Sequence, residues 1–213
     1  MKTLVIAPKS NIDAIAEIIA ASGLGETQTL YGMVAGREVI STVANGNFGI
    51  LVFVLDSNTK FLEMSDGLLN TDELENAIQH SGTIYLVVLS SCEGLGTAAE
   101  IYLGGVSYAI GWQRQVGDKV ASEFTSTFLR AYRLNRNIHD SYDLAVSALR
   151  KFYPTEDAPI LLNGRDRGYQ SQIEDMATQI IRQQRWIFIL GLAVAASLLL
   201  ELITIFYMMS GQV

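Results

Sequence analysis

Cysteine and histidine are nearly absent: the chain has one Cys, Cys92, and two His, His80 and His139. A single thiol excludes an internal disulfide framework and fits a reducing compartment. No metal-ligand cluster is spaced along the chain, so neither a metal nor a cofactor is expected. Positive charge is also scarce, with 15 Lys and Arg against 22 Asp and Glu and a formal net charge of −7. Phosphate recognition needs a clustered basic excess, so a nucleic-acid polymer is not an expected partner. P-loop and Rossmann glycine patterns are missing too. Gly94-x-Gly96 alone is too short to cradle a phosphate and fits a crowded strand-to-helix turn.

What is present is apolar. Hydrophobic residues make up 49% of the 213 positions and charged ones 17%, which excludes whole-chain disorder and allows one domain plus an appendage. The opening MKTLVIAP reads as a first buried strand around Val5-Ile6, not as a secretory signal. Ser10 then offers an N-cap for a helix carrying Ile12, Ile15, Ile18 and Ile19 and stopped by Gly23. A weaker strand over Thr27 to Tyr31 and a helix through Val39 and Val43 come next. Gly49 to Leu55 and Thr83 to Ser90 are continuous apolar runs, the mark of strands buried on both faces.

Between those runs, Asn70 with Glu73 predicts a capped helix ending near His80-Ser-Gly82. Thr97-x-x-Glu100 predicts another capped helix, closed by Gly104-Gly105 before a strand from Val106 to Ile110. Helices over Val116 to Arg133 and Asp140 to Tyr153 and a short strand from Pro159 to Leu162 complete the series. Alternating strands and helices imply an α/β fold with a mainly parallel sheet and helices on both faces. The expected domain covers 1–163, a linker and juxtamembrane helix 164–185, and a transmembrane helix 186–209.

That last segment reads WIFILGLAVAASLLLELITIFYMM, with one charge. About 20 apolar residues cross a bilayer core, so a single span is expected. Trp186 and Tyr207 sit near its ends, and Arg182 and Arg185 precede it. The positive-inside rule then puts the domain in the cytoplasm and the short tail outside. Glu201 is the anomaly, since a carboxylate at membrane depth usually faces protein or water. Helical spacing aligns Gly191, Val194, Ser197, Glu201, Thr204 and Met208 on one stripe, and Gly191 with Ala195 is a small-xxx-small pair. The stripe reads as a homo-oligomer seam that lines a polar path in one version. In the plainer version Glu201 snorkels or is protonated.

MSDGLLNTDEL (Met64 to Leu74), LVVLSSCEG (Leu86 to Gly94) and YAIGWQRQVGDKVASEF (Tyr108 to Phe124) stand in an order that resembles the CHAT branch of the caspase-like cysteine peptidases, relatives of separases and gingipains. The resemblance covers roughly Gly49 to Leu149. It implies a caspase-like, Rossmann-like sheet with a His-Gly pair after one core strand and a nucleophilic Cys after the next, meeting at the carboxyl edge. The nucleophile position falls on Cys92, between Ser91 and Glu93-Gly94. The His-Gly position falls on Asp56-Ser57, and no histidine precedes His80. A carboxylate raises the pKa of a nearby thiol instead of lowering it, so the resemblance implies a retained position without its base.

His80 and His139 are expected at helix ends on the surface. Asp56, Ser57, Asp66, Cys92 and Glu93 would form an acidic pocket suited to a cationic peptide side chain. CHAT-like domains resemble parts of bacterial defence and conflict systems. The expected function is therefore a membrane-anchored pseudo-peptidase that assembles on a signal. An active peptidase using Cys92 and a sensor of a small ligand such as a nucleotide stand as alternatives.

Overall fold

The computed structural model describes residues 2–8, 12–23, 27–55, 61–90 and 94–163. They belong to the first of two compact units, Met1–Arg165; the second is Asp166–Val213. The expected linker, juxtamembrane helix and span lie outside the described residues. Among the described residues no helix is long and apolar enough to cross a membrane.

Six strands form one sheet: β1 (Lys2–Ala7), β2 (Thr27–Tyr31), β3 (Phe48–Phe53), β6 (Leu86–Leu89), β7 (Tyr108–Gly111) and β8 (Ile160–Asn163), in the spatial order β2-β1-β3-β6-β7-β8. All neighbours are parallel except β8, which runs antiparallel to β7. The central strands are the two apolar runs. Every residue of β3 and of β6 is buried, because helices cover both faces of a parallel sheet. Among the described residues six helices accompany them: α1 (Ile12–Ser22), α2 (Gly36–Asn45), α3 (Thr71–Ser81), α4 (Leu95–Leu103), α5 (Asp118–Asn135) and α6 (Ile138–Phe152).

One face of the sheet contributes Val5, Ile50, Val52, Leu86, Val88 and Ile110 to a core shared with α1, α5 and α6. The intervening Leu4, Ile6, Leu51, Phe53, Val87 and Leu89 are buried as well, as a period of two requires when both faces are covered. Along α5 the rings of Phe124, Phe128 and Tyr132 follow one another at centroid separations of 6.3 and 6.2 Å, with Trp112 edge-on to Phe124 at 5.8 Å. Each such ring removes a large apolar area from water, about 1.5–3 kcal/mol when fully buried.

Local signals explain the ends of α3 and the start of α6. Asn70 caps α3 by accepting from Asp72 N at 3.0 Å, and Gly82 at φ +63° ends it in the left-handed region. Asn137 caps α6 by accepting from the backbone N–H groups of His139 and Asp140, two residues earlier than the start expected at Asp140. The cap expected at Thr97 does not form. Thr97 is buried inside α4, which follows Gly94 with no side-chain cap, and Glu100 instead accepts from the Thr71 hydroxyl at 2.7 Å. A carboxylate facing a neighbouring helix found a better donor there than its own helix end.

A separate hairpin, β4 (Phe61–Met64) with β5 (Gly67–Asn70), precedes α3. It was not expected, although its signal is in the sequence. Its two-residue loop is Ser65-Asp66, closed by the Met64–Gly67 pair, and Gly67 takes a φ of +140° that glycine adopts without strain.

Candidate functional site

The carboxyl edge of the sheet is where open α/β sheets place their sites, and the two central strands reach it level with each other. Phe53 of β3 and Leu89 of β6 are register partners, and Ser90 N donates to Phe53 O at 2.8 Å. Asp56 and Cys92 each follow three residues after this pair in sequence. Asp56, Ser57, Cys92 and Glu93 themselves lie outside the described residues.

What holds the chain just beyond Cys92 is described. Leu95 N, at the start of α4, donates to Trp112 O at 2.9 Å. Trp112 follows β7 and is almost wholly buried against Phe124. Between them Gly111 permits the contact: a Cβ there would stand 2.8 Å from Leu95 Cα and 2.9 Å from Gly94 O. The Ile110-Gly111-Trp112 motif thus has a physical reason. It lets the first turn of α4 lie directly on β7 and fixes where the turn after the Cys92 segment resumes.

The chain resumes after the Asp56 segment with the β4–β5 hairpin, which is clasped to the β2–α2 loop. Ser65 N donates to Val34 O, Val34 N to Ser65 Oγ, and Ser65 Oγ to Gly32 O, each at 3.0 Å. Asp66 Oδ1 accepts from Gly36 N at 2.9 Å. Asp66, expected to line a pocket, is an exposed residue whose carboxylate satisfies the first N–H of α2.

Both histidines lie at the opposite, amino edge. His80 is exposed in the last turn of α3, which leads back to the start of β6. His139 opens α6 with its ring 6.0 Å from that of Tyr108, the first residue of β7. It is half-buried, not a plain surface residue, and its Nε2 is buried with no hydrogen-bond partner. The chain has no third imidazole.

Ser90, which no sequence motif marks, is the last described residue before Cys92. It is buried and its Oγ has no partner among the described residues; a Ser closing an apolar strand gives no pattern to read. Among the described residues no group of three or more His, Cys, Asp or Glu could hold a metal ion. Elsewhere, burial pushes the Glu75 carboxyl up, helped by the charges of Asp72 and Glu100. Burial raises the Tyr85 phenol too, together with its 2.8 Å hydrogen bond to Tyr132.

No protein-family model and no curated protein matches the sequence. Solved structures do match the fold. The complex of the pro- and mature domains of RgpB from Porphyromonas gingivalis aligns at TM-score 0.55 and 13% identity, covering 72% of this chain and 44% of that one. The Arg-specific cysteine proteinase gingipain R aligns at 0.56 and 12%, covering 72% and 43%. A secreted C11 cysteine protease from Bacteroides thetaiotaomicron, bound to an irreversible peptide inhibitor, aligns at 0.49 and 11%, covering 71% and 59%. The matched region spans about half the length of these proteins. The two gingipain structures establish the fold as that of the caspase-like cysteine proteases.

Proposed function

We propose that this chain is a membrane-anchored caspase-like module that no longer cleaves peptides. In this reading it is a signal-gated, self-assembling effector at the membrane, of the kind used in bacterial defence and conflict systems. The observation that carries the reading is the position of the only two imidazoles, both at the amino edge of the sheet. A strand of six residues, at about 3.3 Å per residue, separates that edge from the one to which the nucleophile position belongs. A thiol nucleophile needs a base within hydrogen-bond reach to hold thiolate and to protonate the leaving amine. At the base position stands Asp56; its carboxylate would favour the neutral thiol.

With cleavage removed, the segment 186–209 and its stripe around Glu201 become the working part. A buried carboxylate on a seam of small and hydroxyl residues drives helix association because lipid offers it no partner. Gly191, Ser197, Glu201 and Thr204 form that seam.

Two measurements test the reading. A peptide-based thiol probe at neutral pH leaves Cys92 unlabelled; labelling that disappears in Cys92→Ala would establish an active peptidase instead. Glu201→Leu reduces oligomer size and membrane permeabilisation of the full chain, and unchanged values for both would refute the assembly. The peptidase alternative draws on the close packing of Gly111 and Trp112 against the start of α4, three residues after Cys92 in sequence.

A further inference from the structure

We infer that the amino edge of the sheet, led by Arg130, Arg133 and Arg136 with Leu134 among them, docks on the anionic phospholipid headgroups of the membrane that anchors the chain. The inference rests on the anchor reading above and adds which side of the domain meets the bilayer.

Three contacts fix the end of α5 at the amino edge. The Tyr132 hydroxyl, in the last turn of α5, lies 2.8 Å from that of Tyr85, just before β6. His139, at the start of α6, packs its ring on Tyr108, the first residue of β7. The Arg133 side chain runs beside Gly23, where α1 ends, with Cδ and Nη1 each 3.4 Å from the place a Cβ would take.

The chain leaves by this same edge. Because β8 is antiparallel, its last residue, Asn163, pairs with Tyr108. Arg165 and Arg167 follow in sequence, then Arg182 and Arg185 before Trp186. The basic residues that precede the proposed span therefore continue, in sequence, from the edge that carries Arg130, Arg133 and Arg136.

The surface there suits an anionic leaflet. Arg130, Arg133 and Arg136 are exposed, and none is bridged to a carboxylate among the described residues. Leu134 stands among them 77% exposed. The nearest carboxylate in sequence, Asp140, occupies the first turn of α6, where the helix N-terminus favours it. Arginines in the last turn of a helix also complement its dipole, which accounts for some charge there. It accounts neither for an exposed leucine nor for the exit of the chain beside it. In a protein of net charge −7, a local cluster of this sign is drawn to anionic lipid by roughly fivefold in surface partition per arginine, and Leu134 adds an apolar contact with the headgroup boundary.

The test uses the full chain with Cys92→Ser, which removes the only native cysteine. One donor dye is placed by Leu134→Cys, and in a second protein by Met33→Cys, which follows β2 on the carboxyl side and is 93% exposed. Each is reconstituted into phosphatidylcholine vesicles, with or without phosphatidylserine, that carry acceptor-labelled lipid. Energy transfer is expected to be strong from position 134 and weak from position 33. Transfer from 134 should fall severalfold without phosphatidylserine, in about 0.5 M NaCl, and in the combined Arg130→Glu, Arg133→Glu and Arg136→Glu variant. Equal transfer from both positions, or indifference to lipid charge and charge reversal, overturns the docking. Carbonate extraction separates the two failures. A chain that is extracted overturns the anchor and the docking together, whereas a chain that resists extraction but shows equal transfer overturns the docking alone.

Discussion

Ser90 and Glu75 are two residues whose surroundings suit them poorly. A buried hydroxyl without a partner has lost its water and gained nothing in return. Ser90→Ala should therefore raise the melting temperature, by ~3 °C for a gain of about 1 kcal/mol in a domain of this size. A thermal melt followed by circular dichroism checks it, and a drop would mean that the hydroxyl has a structural partner. Glu75 sits beside Asp72 and Glu100, and its folded-state pKa lies above the ordinary carboxylate value. A raised pKa means that the folded chain holds this proton more tightly than the unfolded one. The associated stability is present below pH 4.5, the ordinary value, and is lost as pH rises through the higher folded value. Glu75→Gln should thus match the parent near pH 4 and melt higher at pH 7, by roughly 1 °C given the partial exposure of the site. Melts across that range decide the sign.

At the scale of elements, the first turn of α4 depends on one missing methyl group. Gly111→Ala would force backbone atoms of Gly94 and Leu95 to move, at a cost of about 1–3 kcal/mol, and would change the alkylation rate of Cys92, which follows β6 and precedes this turn. Gly46 is a control. A Cβ there would meet Phe48 and Thr42 O at the amino edge, so Gly46→Ala should lower stability while leaving the alkylation rate of the folded chain unchanged. The cap of α3 has a more ordinary value. Asn70→Ala removes the acceptor for Asp72 N and should cost about 1 kcal/mol, measured by denaturant midpoint at constant slope. Asp66 shows how an element changes the meaning of a residue. In the sequence it is an acidic candidate in a loop, and in the fold it serves the N-terminus of α2 from the tip of the hairpin.

For the whole molecule, the sheet separates two surfaces. One edge carries the strand ends that lead into Asp56 and Cys92, and the other carries both histidines, the end of α5 and the exit of the chain after Asn163. The full chain should resist carbonate extraction from membranes, and deletion of 186–209 should release it; an extractable full chain would end the anchor proposal. Alkylation of Cys92 and carbonate extraction should respond to different changes, Gly111→Ala altering the first and deletion of 186–209 the second.

The sequence by itself determined the central strands, because a run such as Gly49 to Leu55 is apolar on both alternating faces and no other arrangement buries it. It determined both ends of α3 through Asn70 and Gly82 and the close of α1 through Gly23, because their local hydrogen bonds and backbone freedom act within a few residues. It also excluded an imidazole before residue 80 by simple count. It did not reveal that Thr97 and Glu100 would forgo a cap, that Asp66 would serve another helix, that Ser90 would be stranded, or that Arg130, Arg133 and Arg136 would share an edge with the departing chain. Those outcomes depend on pairings between residues about 30 positions apart or more, such as Thr71 with Glu100 and Gly36 with Asp66. Only the assembled sheet, with its helices and the β4–β5 hairpin packed around it, brings such groups within reach of one another, and only the antiparallel β8 returns the chain to the edge where α5 ends.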